Sequence, residues 1–196
     1  MAGGNLPWII AGTAIFGLIL VVGFSMVRPE GPAPAPGAAP GGAAGAASGA
    51  APDISNMAPI DAADRLFDRV MRSLAAGDTA GALAFQPMGV QAYARAEPLN
   101  LDGVFHMAML EMLTTPADAL ASANRILEAE PDHIFGLGLA AQAHLALGDT
   151  AAARTAYQQI LDVYNTEAGR PLEEYQAHSQ ILNAYRADAE AFLNEG

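Results

Sequence analysis

Two stretches of this chain, LTTPADALASANRIL at residues 113–127 and LGDTAAARTAYQQIL at residues 147–161, align without a gap at a spacing of 34 residues. Leu113 pairs with Leu147, Ala119 with Ala153, Ala123 with Tyr157, Ile126 with Ile160 and Leu127 with Leu161. Self-similarity at such a period is the mark of stacked supersecondary units, each too small to bury its own apolar face. Within each unit the apolar residues recur three and four apart, which is the period of a helix with one buried side. The turns carry matching chemistry. Thr115-Pro116-Ala117-Asp118 supplies a capping residue, a first-turn proline and an acidic third position, while Gly148-Asp149 ends one helix and caps the next.

Toward the N-terminus a further hairpin is expected over residues 61–96. Its first helix runs from about Asp61 to Ala76, with Leu66, Phe67, Val70, Met71 and Leu74 on one side, Gly77 as its stop and Asp78 capping the next. It stands three residues out of register with the other two units and carries Pro87 inside its second helix. Toward the C-terminus one last helix, from Pro171 to Leu193, places Leu172, Tyr175, Ile181, Leu182, Tyr185, Phe192 and Leu193 near one stripe, as a cap on the array needs. Nothing beyond Ile54 shows the two-residue alternation of a strand, so the expected fold class is all-α, with about seven helices.

These residues resemble the tetratricopeptide repeat family, whose paired helices build right-handed superhelices that generally serve protein recognition. Gly148, Ala153 and Tyr157 stand where that family has its turn glycine, small packing residue and aromatic. In the preceding unit Ala119 and Pro131 fit, but Thr114 replaces the glycine and Ala123 the aromatic. Gly77, Asp78 and Ala82 fit in the first hairpin. The resemblance covers about 70 residues closely and about 35 loosely. It implies a concave groove lined by the first helix of each hairpin, here by Phe67, Met71, Leu74, Val104, Ala108, Glu111, Met112, Phe135, Gln142 and Leu145. So apolar a groove suits an amphipathic helix or an extended apolar peptide, or else the chain's own last helix fills it.

The first 54 residues are of a different kind. Pro7 to Val27 contains no charge and is long enough, at about 1.5 Å per residue, to cross a hydrocarbon layer of about 30 Å. Trp8 suits one interface, while Arg28 and Glu30 mark the other. No Lys or Arg precedes the apolar run, which favours a retained anchor over a cleaved signal. Residues 29–54 are almost entirely Ala, Pro and Gly up to Ile54, with nothing to bury, and read as a disordered tether. The expected organisation is therefore an anchor over 1–28, a linker over 29–54 and a helical domain over 55–196. The positive-inside rule has almost nothing to count, and the domain is placed outside the cytoplasm of a bacterial-type inner membrane by analogy with other anchored repeat proteins.

Charge and chemistry narrow the function. The net charge of −12 argues against nucleic acid, which is held by clustered basic side chains. It reads as a solvated acidic surface, with a basic partner as the sharper alternative. There is no Cys, and all nine basic side chains are Arg. Gly136, Gly138 and Ala141 match a dinucleotide fingerprint by spacing, but no strand precedes them, and glycines that admit close helix packing explain them better. His106, Met107, Met109 and Met112 form a group that suits a soft cuprous ion, yet on a helix they fan over more than one face and read as packing. His133, His144 and His178 match no zinc spacing. No nucleophile elbow or phosphate loop is present. The expectation is a non-enzymatic adaptor without cofactor or metal, taking a protein or peptide partner near the membrane, or alternatively a structural accessory subunit of a larger membrane complex.

Overall fold

The computed structural model describes residues 56–195; the expected anchor over 1–28 and the linker over 29–54 lie outside the described residues. Eight helices and no strands are found among the described residues: α1 (Pro59–Ala75), α2 (Thr79–Arg95), α3 (Leu101–Glu111), α4 (Pro116–Ala129), α5 (Ile134–Ala146), α6 (Thr150–Glu167), α7 (Glu173–Ala177) and α8 (Ser179–Asn194). None of these is long and apolar enough to cross a membrane.

The first and third hairpin turns are built by one device. Gly77 and Gly148 adopt φ +75° and +82°, a left-handed geometry that glycine reaches without steric cost. The next amide reaches back to close each helix, Asp78 N–H to Ser73 O at 2.8 Å and Asp149 N–H to His144 O at 2.8 Å. The same aspartates then cap the following helix, accepting from Gly81 N–H at 2.8 Å and from Ala152 N–H at 3.0 Å. The middle turn differs. Thr115 occupies the N-cap of α4, but its hydroxyl makes no cap bond and instead donates to Glu111 O at 3.4 Å. The register shift of the first hairpin lies in the length of α2, which has 17 residues against 14 in α4. Pro87 sits within α2 on its exposed side, where water can serve the carbonyl left unpaired.

From α1 to α6 each helix packs on its neighbours in sequence, and the first helices of successive hairpins also touch: α1 meets α3 and α3 meets α5. Beyond α6, α8 packs against both α5 and α6, the place that the first helix of a next hairpin would take. Phe105 of α3 stacks on Phe135 of α5 with ring centres 4.4 Å apart, and Tyr157 of α6 meets Phe192 of α8 at 5.1 Å. The two glycines in α5 let α4 and α8 come close to it. A Cβ on Gly136 would stand 2.8 Å from Leu127, and one on Gly138 would stand 2.5 Å from the ring of Tyr185.

One expected element is corrected. The last helix is not continuous from Pro171 to Leu193, because His178, at φ −118° and ψ 33°, breaks it into α7 and α8. The break lets Tyr175 reach the start of α5 while His178 turns toward α3: Tyr175 Oη accepts from Ile134 N–H at 2.8 Å, and His178 lies 3.1 Å from His106. A straight helix would carry both side chains on one turn, 100° apart for each residue, and would not serve both targets.

Candidate functional site

Asn100 caps α3 by accepting from Gly103 N–H at 2.9 Å, and Asp102 in the first turn complements the helix dipole. Four residues on, His106 lies over Asp102 on the same face. The break at His178 brings a third polar side chain to this face from 72 residues away. His106 Nε2 is 3.1 Å from His178 Nε2, His178 Nε2 is 3.3 Å from Asp102 Oδ1, and His106 Nε2 is 3.7 Å from Asp102 Oδ1. Three potential donors thus form a small triangle, the group among the described residues whose spacing suits a metal ion. Asp102 Oδ1 is closed off from water and receives no well-directed hydrogen bond.

Aromatic rings wall the triangle. Phe67 of α1 stacks on His106 with centres 4.2 Å apart, while Phe105 and Phe135 lie 5.9 and 6.1 Å from His178. The far side is wetter, since the His106 side chain is 11 % exposed against 33 % for Asp102 and 24 % for His178. The less enclosed side of the triangle is therefore the one formed by Asp102 and His178, although the Asp102 Oδ1 atom itself faces inward.

A second layer holds His106 by its other nitrogen. Tyr93 Oη donates to Asp64 Oδ1 at 2.6 Å and lies 3.2 Å from His106 Nδ1, which is itself 3.5 Å from Asp64 Oδ1. With its one proton given to Asp64, the Tyr93 hydroxyl can only accept from His106, so Nδ1 carries the hydrogen. In the neutral ring Nε2 is then bare, and its lone pair faces Asp102 and His178. Burial, with the Asp64 carboxylate next in weight, drives the Tyr93 hydroxyl far above its ordinary range, so it stays protonated as this inventory requires. Burial works to raise Asp102, but the contact with His178 and the nearby imidazole charges outweigh it and hold that carboxyl low. Asp64 is likewise held low by His106 and Tyr93 against burial.

A second polar cluster fastens α7. Tyr175 Oη donates to Glu167 Oε1 at 3.0 Å, Arg170 pairs with both Glu167 and Glu130, and His133 Nε2 lies 3.2 Å from Glu174 Oε1. Burial depresses the His133 imidazole more than its glutamate neighbours raise it. Apart from His133 Nδ1, which is buried without a hydrogen-bond partner, the side chains of this cluster pair with one another, and it reads as a clasp.

Of the ten positions expected to line a groove, Phe67, Met71, Val104, Ala108, Glu111, Phe135 and Gln142 are buried, and Leu74, Met112 and Leu145 are half-buried at the C-terminal ends of α1, α3 and α5. Glu111 faces α4, where it accepts from Ser122 Oγ at 2.7 Å, and burial pushes its carboxyl up. Phe135 is covered by Tyr175 at 5.0 Å and by Tyr185 at 6.4 Å, both from the C-terminal segment. Met107 and Met109 are packed in the core. Neither family models, nor curated proteins, nor solved structures yield a match to this chain.

The triangle escaped sequence reasoning for a geometric reason. Asp102 and His106 at i and i+4 are a readable pair, but His178 joins them only through a helix break and the folding-back of the chain end.

Proposed function

We propose that this chain is a membrane-tethered helical-repeat scaffold of the tetratricopeptide type, non-enzymatic, which holds a protein or peptide partner close to a bilayer. The observation that carries the reading is the succession α1, α3, α5, α8, in which each hairpin's first helix rests on the one before and the chain's last helix takes the next place. Such a stack is a rigid, one-dimensional display surface whose free side is available for recognition. Residues 7–27 provide the anchor and 29–54 a tether that spans roughly 25 to 30 Å as a flexible coil, or nearer 75 Å if fully extended as polyproline. The partner segment is apolar or amphipathic and is met at Leu74, Met112 and Leu145, the groove positions that keep some exposure. The membrane is a bacterial-type inner membrane, with the domain on its outer side.

The alternative is a structural subunit whose anchor packs against other membrane helices, and Gly12, Thr13, Gly17 and Gly23 give that segment small residues for close approach. Replacing residues 7–27 by an unrelated membrane helix separates the two. A scaffold keeps its cross-linked partner in native membranes after the exchange, whereas a structural subunit loses it. If the unaltered chain cross-links to no protein, both readings fail. A phosphatase fused to the C-terminus is expected to be active, and an inactive fusion would reverse the orientation.

A further inference from the structure

We propose that Asp102, His106 and His178 bind one divalent transition-metal ion of the zinc type, and that this ion fastens the C-terminal helix to the hairpin stack. The proposal does not depend on the scaffold reading. It rests on the way three donor atoms from two distant segments converge. Four ligands held tetrahedrally at about 2.0–2.1 Å from zinc stand about 3.3–3.4 Å from one another. The three edges here, 3.1, 3.3 and 3.7 Å, bracket that value, so the triangle has the dimensions of one face of such a tetrahedron. A fourth ligand, a water, would stand on the less enclosed side, next to Asp102 and His178.

The proton inventory points the same way. Tyr93 and Asp64 place the hydrogen of His106 on Nδ1, so its Nε2 lone pair is directed at another imidazole nitrogen and a carboxylate oxygen. A single proton on His178 Nε2 can serve one of these two acceptors well, not both, and Asp102 Oδ1 receives no well-directed hydrogen bond. A cation at the centre of the face would satisfy all three atoms at once. The outer layer has the form that metal-bound histidines use, a carboxylate and a hydroxyl holding the far ring nitrogen and fixing the tautomer. Two imidazoles and one carboxylate favour zinc-like ions over magnesium or calcium, which prefer oxygen alone.

The full chain, made without a histidine tag, is stripped with a chelator in detergent and titrated with zinc chloride by calorimetry. We expect one ion per chain and a higher unfolding temperature with zinc, and magnesium at the same concentration produces neither. His178→Gln and Asp102→Asn each weaken binding at least tenfold. Tyr93→Phe, which touches no proposed ligand bond, weakens it by about tenfold through loss of the hold on His106. His144→Gln leaves binding unchanged. Because a variant can lose its fold, cobalt(II) added to the unaltered chain gives an independent reading, with intense visible bands of tetrahedral nitrogen and oxygen coordination expected. Absence of saturable binding at one equivalent, an octahedral cobalt spectrum, or equal zinc affinity in a folded His178→Gln chain would overturn the proposal.

Discussion

The backbone of Gly138 and the ring of Tyr185 occupy adjoining space so closely that a single added carbon would overlap three ring atoms, at 2.5, 2.5 and 2.6 Å. Tyr185 is buried, and its ring lies between α5, α6 and the rest of α8, so it has no free direction to move. Through this contact the last helix is seated on the third hairpin.

Gly138→Ala is therefore expected to destabilise the domain. Alanine improves helix propensity by about 1 kcal/mol, but overpacking against a rigid buried ring costs about 1–3 kcal/mol, and three overlapped atoms place the cost near the upper end. A net loss of about 1–2 kcal/mol should appear in urea unfolding. Gly89→Ala is the comparison: its Cβ would meet chiefly one terminal methyl of the buried Leu110, at 2.6 Å, rather than three atoms of a ring, so its loss should be smaller.

Two tyrosine hydroxyls should differ in weight. Tyr175 Oη joins Ile134 N–H to Glu167 in a buried position, whereas Tyr164 Oη donates to Asn183 at the surface. Tyr175→Phe leaves a buried amide and a buried carboxylate without this partner and should cost about 1–3 kcal/mol. Tyr164→Phe should stay within about 0.5 kcal/mol of the parent in the same unfolding assay.

Asp188 gives the domain a pH dependence. Burial raises its carboxyl to about 6, against which the Gln142 contact acts in the lowering direction; Tyr157 and Tyr185 lie close by. A group whose folded pKa exceeds its unfolded value contributes stability that is complete below the unfolded pKa, here 3.8, and is lost as pH rises through about 6. Relative to Asp188→Asn, the parent should lose about 1 kcal/mol between pH 4 and pH 7, a figure reduced from the full shift because the side chain is partly screened by water. His133 contributes the opposite slope in both proteins and cancels in the comparison.

The two Gly-Asp turns predict a matched pair of losses. Asp78→Ala and Asp149→Ala each remove a cap bond and should cost about 1 kcal/mol by thermal unfolding. Thr115→Ala, at a cap without such a bond, should cost less.

Local signals carried far in this chain. The Gly77-Asp78 and Gly148-Asp149 turns, the 34-residue spacing and the helical period were all readable, because each depends on residues close in sequence. The close approaches at Gly136 and Gly138 were readable as well, since glycine in the middle of a helix needs a packing reason. The break at His178 was not. No glycine or proline marks it, and it is stabilised by contacts with Ile134 and His106, which only the folded chain supplies. The groove positions show the same limit. Sequence placed Phe135 and Gln142 on first helices, but whether those helices face water depends on where the chain end returns, and here residues 134–143 are buried on every side. Met107 and Met109 proved to be core, while the partner of His106 lay 72 residues away, beyond the reach of any spacing rule.

The central claim is that the C-terminal helix is an integral member of the stack. Amide hydrogen exchange on the full chain, read residue by residue, tests it most directly. Leu182, Tyr185 and Ala189 of α8 should exchange as slowly as Leu139 and Ala141 of α5, through one cooperative opening. Exchange of α8 within seconds, while α5 stays protected for hours, would show a detached tail and contradict the account.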